Sequence, residues 1–168
     1  MSGQALYDAC HGGNLDGAAQ LIKAGANVNW ANEDGWTPLF AASFYGHREV
    51  VRLLLDKGAA VDKATNVGAT PLHVASQNGH LDAVGLLLES GATVDEADDD
   101  GVTPLARASH NGHLEVVRLL LRRGAAVDRA TNDGTTPLYV ACLKGHKDVA
   151  GLLLDKGAAV DRANKVSQ

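Results

Sequence analysis

All four prolines of this chain stand in copies of one tripeptide, Thr37-Pro38-Leu39, Thr70-Pro71-Leu72, Thr103-Pro104-Leu105 and Thr136-Pro137-Leu138, each displaced from the last by 33 residues. A fixed period of that length marks one supersecondary unit copied along the chain, and a unit so small can bury its apolar face only against its neighbours. The fold is therefore constrained to a linear stack. More of the unit keeps the same register. Gly35, Gly68, Gly101 and Gly134 precede the threonines, while Gly46-His47, Gly79-His80, Gly112-His113 and Gly145-His146 follow the prolines at a constant offset. Gly-Ala and then Val-Asn or Val-Asp close each copy, at Val28, Val61, Val94, Val127 and Val160. The frame also runs backward through Gln4-Ala5-Leu6 and Gly13-Asn14. One domain of five units results, at about 1–31, 32–64, 65–97, 98–130 and 131–163, with a short tail.

Each unit reads as helix, tight turn, helix and long turn. Threonine caps a helix and proline is tolerated at its first position, so a first helix is predicted to start at each proline. It ends about eight residues on, where Gly46, Gly79, Gly112 and Gly145 can take the left-handed conformation. A second helix follows in segments such as 48–57 and 114–123, with Val and Leu as the buried stripe and Arg, Glu, Asp and Lys on the wet face. What remains, such as 59–69, is polar and carries the Asn/Asp-x-Gly signal of a hairpin-like finger.

The run Gly68-Ala69-Thr70-Pro71-Leu72-His73-Val74-Ala75 resembles the ankyrin-repeat signature almost completely, and the resemblance extends over essentially the whole chain. It implies an all-α solenoid of stacked helix-turn-helix pairs joined by fingers. Departures are local. Phe40, Ala106 and Tyr139 replace the histidine of His73, and Arg107 stands where sister units have Ala41, Val74 and Val140. An unpaired buried guanidinium is costly, so Arg107 is expected either to reach the acidic finger around Asp98 to Asp100 or to mark a weak contact between the third and fourth units.

Composition narrows the function classes. The 168 residues are 45% hydrophobic, enough for a narrow continuous core, and no apolar run approaches a membrane span. Met1-Ser2-Gly3-Gln4 carries no signal-peptide pattern, which points to an intracellular, cytoplasmic location with the nucleus still open. A net charge of −5, with Arg52, Lys57, Arg118, Arg122, Arg123 and Lys156 interleaved with acids on the second helices, argues against nucleic acid as partner. No membrane partner is expected either.

Cys10 and Cys142 share the frame position of Ser43, Ser76 and Ser109. Four units separate them, roughly 40 Å at helix spacing, so they are read as free thiols in buried or half-buried packing slots. His47, His80, His113 and His146 are equivalent residues one unit apart and are read as framework, since zinc needs its ligands near 2 Å from one ion. Asp95 to Gly101 resembles the start of a calcium loop, but Arg107 occupies the twelfth place where a bidentate glutamate belongs. The finger is accordingly expected to be acidic and solvated. No nucleophile elbow, phosphate loop or His-Glu-x-x-His is present, so neither enzyme activity nor a cofactor nor a metal is expected.

Chemistry that varies on a constant frame remains. In ankyrin-like repeats the finger tip and the end of the first helix form the concave side, so the resemblance implies a protein-binding surface there. The second unit contributes Glu33, Asp34, Trp36, Phe44 and Tyr45, and the third Asn66, Val67, Ala69, Gln77 and Asn78. Asp99, Asp100, Val102, His110 and Asn111 follow from the fourth, then Asn132, Asp133, Thr135, Leu143 and Lys144 from the fifth. Five of the seven aromatics fall between Trp30 and Tyr45. Phe40 is assigned to the core, whereas Trp36, Phe44 and Tyr45 are expected to be exposed as a hot spot, with mutual packing the competing reading.

The two ends differ. Asp8 and Gly12 make the first unit face water, as a cap should, while Val149-Ala150-Gly151-Leu152-Leu153-Leu154 keeps the internal apolar stripe. The expectation is a monomer with weak self-association at that open end, or a piece of a longer array. The reading of function is a protein-interaction module. Its rivals are a structural or engineered scaffold, against which mid-helix Gly85 and Gly151 argue, and a regulatory or targeting subunit of an enzyme complex.

Overall fold

The computed structural model describes residues 3–160, and among these ten helices follow one another without a strand. They are α1 (Gly3–His11), α2 (Leu15–Lys23), α3 (Pro38–Tyr45), α4 (Arg48–Asp56), α5 (Pro71–Gln77), α6 (Leu81–Glu89), α7 (Pro104–Asn111), α8 (Leu114–Arg122), α9 (Pro137–Leu143) and α10 (Lys147–Asp155). Each proline opens its helix. Thr37, Thr103 and Thr136 cap theirs by accepting from the amides of Phe40, Ala106 and Tyr139 at 3.0, 3.2 and 3.2 Å. In the third unit Thr70 and His73 form a capping box, in which the Thr70 amide donates to His73 Nδ1 at 3.1 Å and the Thr70 hydroxyl lies 2.9 Å from the same nitrogen.

The odd-numbered helices stack in one row and the even-numbered ones in a second, each first helix lying against its own second helix. One core runs between the rows from Leu6 to Ala158. Leu39, Leu72, Leu105 and Leu138 supply it from the first row, and Leu54, Leu87, Leu120 and Leu153 from the second. Each fully buried leucine stabilises by about 1.5–3 kcal/mol relative to its exposed state.

Polar clasps tie successive units together. Gly13, Gly46, Gly79 and Gly112 each meet the histidine of the following unit, His47, His80, His113 and His146: a Cβ on Gly46, at φ 72°, would stand 2.5 Å from His80 Nδ1. That closeness lets His80 Nε2–H donate to the Phe44 carbonyl at 3.0 Å. The same clasp joins His47 to His11, His113 to Gln77 and His146 to His110, at 2.8–3.0 Å. A second clasp starts from the Val-Asn/Asp motif. Asn29, Asp62, Asp95 and Asp128 accept from the amides of Ala60, Thr93, Ala126 and Ala159. A third joins the fingers, where the amides of Asn66, Asp99 and Asn132 donate to Asp34, Val67 and Asp100.

Several details depart from expectation. Helices α5 and α9 end at Gln77 and Leu143, and their C-caps are Asn78 and Lys144 rather than the glycines that follow. Cys10 is buried and burial pushes its thiol up to about 12, but Cys142 is exposed. Its sisters Ser43, Ser76 and Ser109 are covered by the next first helix, and no described helix lies beyond α9 on that side. At this end Leu143, Leu154 and Val160 are 67%, 46% and 77% exposed, whereas Val149, Leu152 and Leu153 are buried by their own unit and the one before. The tail from residue 161 lies outside the described residues. Among those residues no helix is long and apolar enough to cross a membrane.

Candidate functional site

The fingers and the ends of the first helices form one face, on which the polar clasps have already claimed several side chains. Asn66 Nδ2 donates to the Glu33 carbonyl at 2.7 Å, and Asn132 Nδ2 to that of Asp99 at 2.9 Å. Asn78 Nδ2 donates to the Phe44 carbonyl and Asn111 Nδ2 to that of Arg107, both at 2.9 Å. These four asparagines hold the frame, which limits what they can offer a partner. Glu33, Asp34, Val67, Asp99, Asp100 and Asp133 remain exposed at the finger tips, and His110 and Lys144 at the ends of α7 and α9; Gln77 is half-buried.

Aromatic rings make the N-terminal half of this face. Trp36 tilts against Phe40 and Phe44 with centroids 4.7 and 5.8 Å apart, and Phe44 meets Tyr45 edge-on at 4.9 Å. Exposure of all three rings was the expectation, and it applies to Tyr45 alone, at 42%. Trp36 and Phe44 are half-buried because each leans on the rings beside it. Tyr45 is propped in turn by His11, 4.5 Å away, and by His47, stacked at 5.9 Å. The seam continues from His11 to Tyr7 at 6.2 Å and from Tyr7 to Trp30 at 5.9 Å, so it reaches into the first unit. His11 was not legible as a site residue, because it matters only through the cross-unit stacking.

The fourth finger is acidic and solvated at Glu96, Asp99 and Asp100, as expected, but one of its carboxylates is folded inward. Asp98 is 8% exposed. Its Oδ1 accepts from the amides of Val102 and Asp100 at 2.8 and 3.1 Å, and its Oδ2 from Arg107 Nη2 at 2.7 Å. Arg107 therefore takes the first of its two expected roles, reaching the finger. Asn32 folds the second finger in the same way, accepting from Trp36 and Asp34 at 2.8 and 3.1 Å, but with no charge to balance.

Between the fourth and fifth units the face opens into a cleft of about 370 Å³. Val102, Ala106 and Val140 form its apolar walls, Arg107 and His110 stand on one side, and Asp133 and Thr135 on the other. His110 has its imidazole pKa pulled below the ordinary value, first by desolvation and then by the charges of Lys144, Arg107 and His146. Asp133 is held below the usual carboxylate range by hydrogen bonds from Thr131 and Thr135. Among the described residues no three His, Cys, Asp or Glu side chains converge as a metal site would require. What the face offers is shape, one exposed tyrosine backed by half-buried rings, and separated charge.

Comparison with known proteins bears on this arrangement. A family described as ankyrin repeats (3 copies) matches residues 6–98 and again 93–164. The Notch-regulated ankyrin repeat-containing protein of Homo sapiens is 43% identical over 47 residues, 28% of this chain and 41% of that protein. Protein phosphatase 1 regulatory subunit 27 of Mus musculus is 40% identical over 48 residues, 29% of this chain and 31% of the relative. Regulatory subunit 12A of the same organism is 43% identical over 51 residues, 30% of this chain and 5% of the relative. The matched stretches thus span less than half of each relative.

Proposed function

The chain belongs to the ankyrin-repeat family, and from that premise we propose that it is a non-enzymatic module that grips a protein partner across its concave face, with the second and third units at the centre. Ankyrin repeats generally mediate protein–protein contacts. The observation that carries the assignment is Tyr45, 42% exposed and propped by two histidines, beside Val67, 64% exposed at the next finger tip, with Leu143 extending the exposed apolar surface at the end of α9. Propped rings lose little freedom on binding and are common hot spots. The frame clasps stay constant while the tips change from acid and aromatic to neutral to mixed charge, which is how a shared scaffold is given one partner. Free thiols at Cys10 and Cys142 fit a reducing, intracellular setting.

A second reading has the partner as an enzyme, with the module as its regulatory or targeting subunit. The likeness to two protein phosphatase 1 regulatory subunits supports it. One experiment addresses both. The chain captures its partner from lysate, and binding is then measured with Tyr45→Ala/Val67→Ala and with Arg52→Ala/Arg118→Ala on the second helices. The concave pair should weaken binding about 30-fold, roughly 2 kcal/mol, with helicity unchanged. Binding lost only in the second-helix pair would overturn the assignment, and a phosphatase in the captured fraction would select the second reading.

A further inference from the structure

The cleft between the fourth and fifth units occupies the position of a ring that is missing. The residue after each Thr-Pro-Leu is Phe40 in the second unit and His73 in the third, and these side chains are 2% and 1% exposed. His73 reaches to the next finger, where Nε2–H donates to the Val102 carbonyl at 2.9 Å. The fourth unit has Ala106 at this position, and the residue equivalent to Val102 on the finger beyond is Thr135. Both line the cleft. A methyl group has replaced the ring, and the slot it vacated opens onto the concave face.

We propose that this slot receives an aromatic side chain of the bound protein, a tyrosine in the first instance. The proposal rests on the reading of the concave face as the partner surface. Val102, Ala106 and Val140 offer apolar contact to the ring. Arg107 stands beside them with its guanidinium tethered to Asp98 at 2.7 Å and its side chain 34% exposed, placed to stack on a ring face. Asp133 and Thr135 at the rim supply acceptors for a phenol O–H. A space of about 370 Å³ lies within the range of sites that take small organic groups. An aliphatic side chain would fill the walls but make no use of the guanidinium face or of the further acceptor capacity at the rim.

The test uses p-cresol as the probe, titrated into the full chain and followed by amide chemical shifts, with N-acetyl-leucinamide as the aliphatic control. Saturable shifts confined to Ala106, Arg107, Thr135 and Val140 are expected, at least tenfold weaker for the control. They should vanish in Ala106→Phe, and in Ala106→His, which copies the third unit. Each of these variants should also melt higher than the parent and capture the partner at least tenfold more weakly. Scattered or unsaturable shifts, or p-cresol binding that persists in both variants, would overturn the slot. Failure of the probe while Tyr45→Ala/Val67→Ala still weakens capture would remove this inference and leave the module reading intact. Probe binding that survives while capture ignores every concave variant would remove the module reading, and the tyrosine assignment with it.

Discussion

Replacing Arg107 by alanine isolates a carboxylate that the fold has taken out of water. The Asp98 side chain is 4% exposed, and its three donors are the Val102 amide at 2.8 Å, the Asp100 amide at 3.1 Å and Arg107 Nη2 at 2.7 Å. Breaking a buried ion pair by removing one partner costs about 3–5 kcal/mol, and a hydrogen bond to a charged group is worth about 1.5–3 kcal/mol. Two features lower the figure. The arginine is 34% exposed, so solvent already screens the pair, and two amides go on holding the carboxylate. Arg107→Ala should therefore cost about 2 kcal/mol. Asp98→Asn keeps the Oδ1 acceptor, as Asn32 does in the second finger, and releases a guanidinium that can reach water, for a cost of about 1 kcal/mol. The double variant has no charge left to balance and should lie near Asp98→Asn, a coupling energy of about 2 kcal/mol. Urea unfolding followed by circular dichroism, with unchanged slope, measures all four corners. An Arg107→Ala loss under about 0.5 kcal/mol, or additive single costs, would show that the pair is ornamental.

Ser43, Ser76 and Ser109 bury hydroxyl oxygens without a hydrogen-bond partner. An unsatisfied buried group costs about 1–3 kcal/mol, so Ser76→Ala and Ser109→Ala should leave the unfolding midpoint unchanged or raise it, and a loss above about 1 kcal/mol would show that the hydroxyls are bonded. His73 titrates below its ordinary value chiefly because burial disfavours the imidazolium, with Arg107 adding to the effect and the Val102 carbonyl, Asp98 and Glu96 opposing it. The unfolded chain takes up that proton near pH 6.5 and the folded chain only at lower pH, so the stability His73 contributes is complete above 6.5 and is lost as pH falls towards the folded value. Between pH 7 and 5 the midpoint should fall further for the parent than for His73→Phe, and parallel falls would refute the assignment.

The period, the helix starts and the glycine stops of α3 and α7 were legible because each depends on residues within one unit. The Thr-Pro pairs open α3, α5, α7 and α9 without help from elsewhere. What the sequence hid were properties that exist only between units. The histidine after each glycine reads as framework, but its hydrogen bond to a carbonyl 36 residues earlier has no local signature. Asp98 looks like one of several finger acids until folding brings Arg107 to it, nine residues on. Trp36 and Phe44 sit where a tip residue should be exposed, and their burial depends on neighbours one helical turn away and across the finger. The Ala106 slot was visible as a departure from the frame, but as an empty volume only once the fifth finger stood opposite.

Among the described residues the clasps between units span 29 to 36 residues in the chain, never two units. No hydrogen-bonded loop that has to close during folding is therefore longer than about one copy, and the entropy of closure does not grow with the length of the array. Any adjacent pair can start, and the rest can grow outward in either direction. The same locality makes 33 residues a quantum of permissible change. Removing one whole copy rejoins every donor to an equivalent acceptor, whereas losing 32 or 34 residues sets the glycine, the histidine and the aspartate at that junction out of step together. Length in this protein is thus a free parameter, counted in whole units, on which neither the packing nor the polar links of any surviving pair depend.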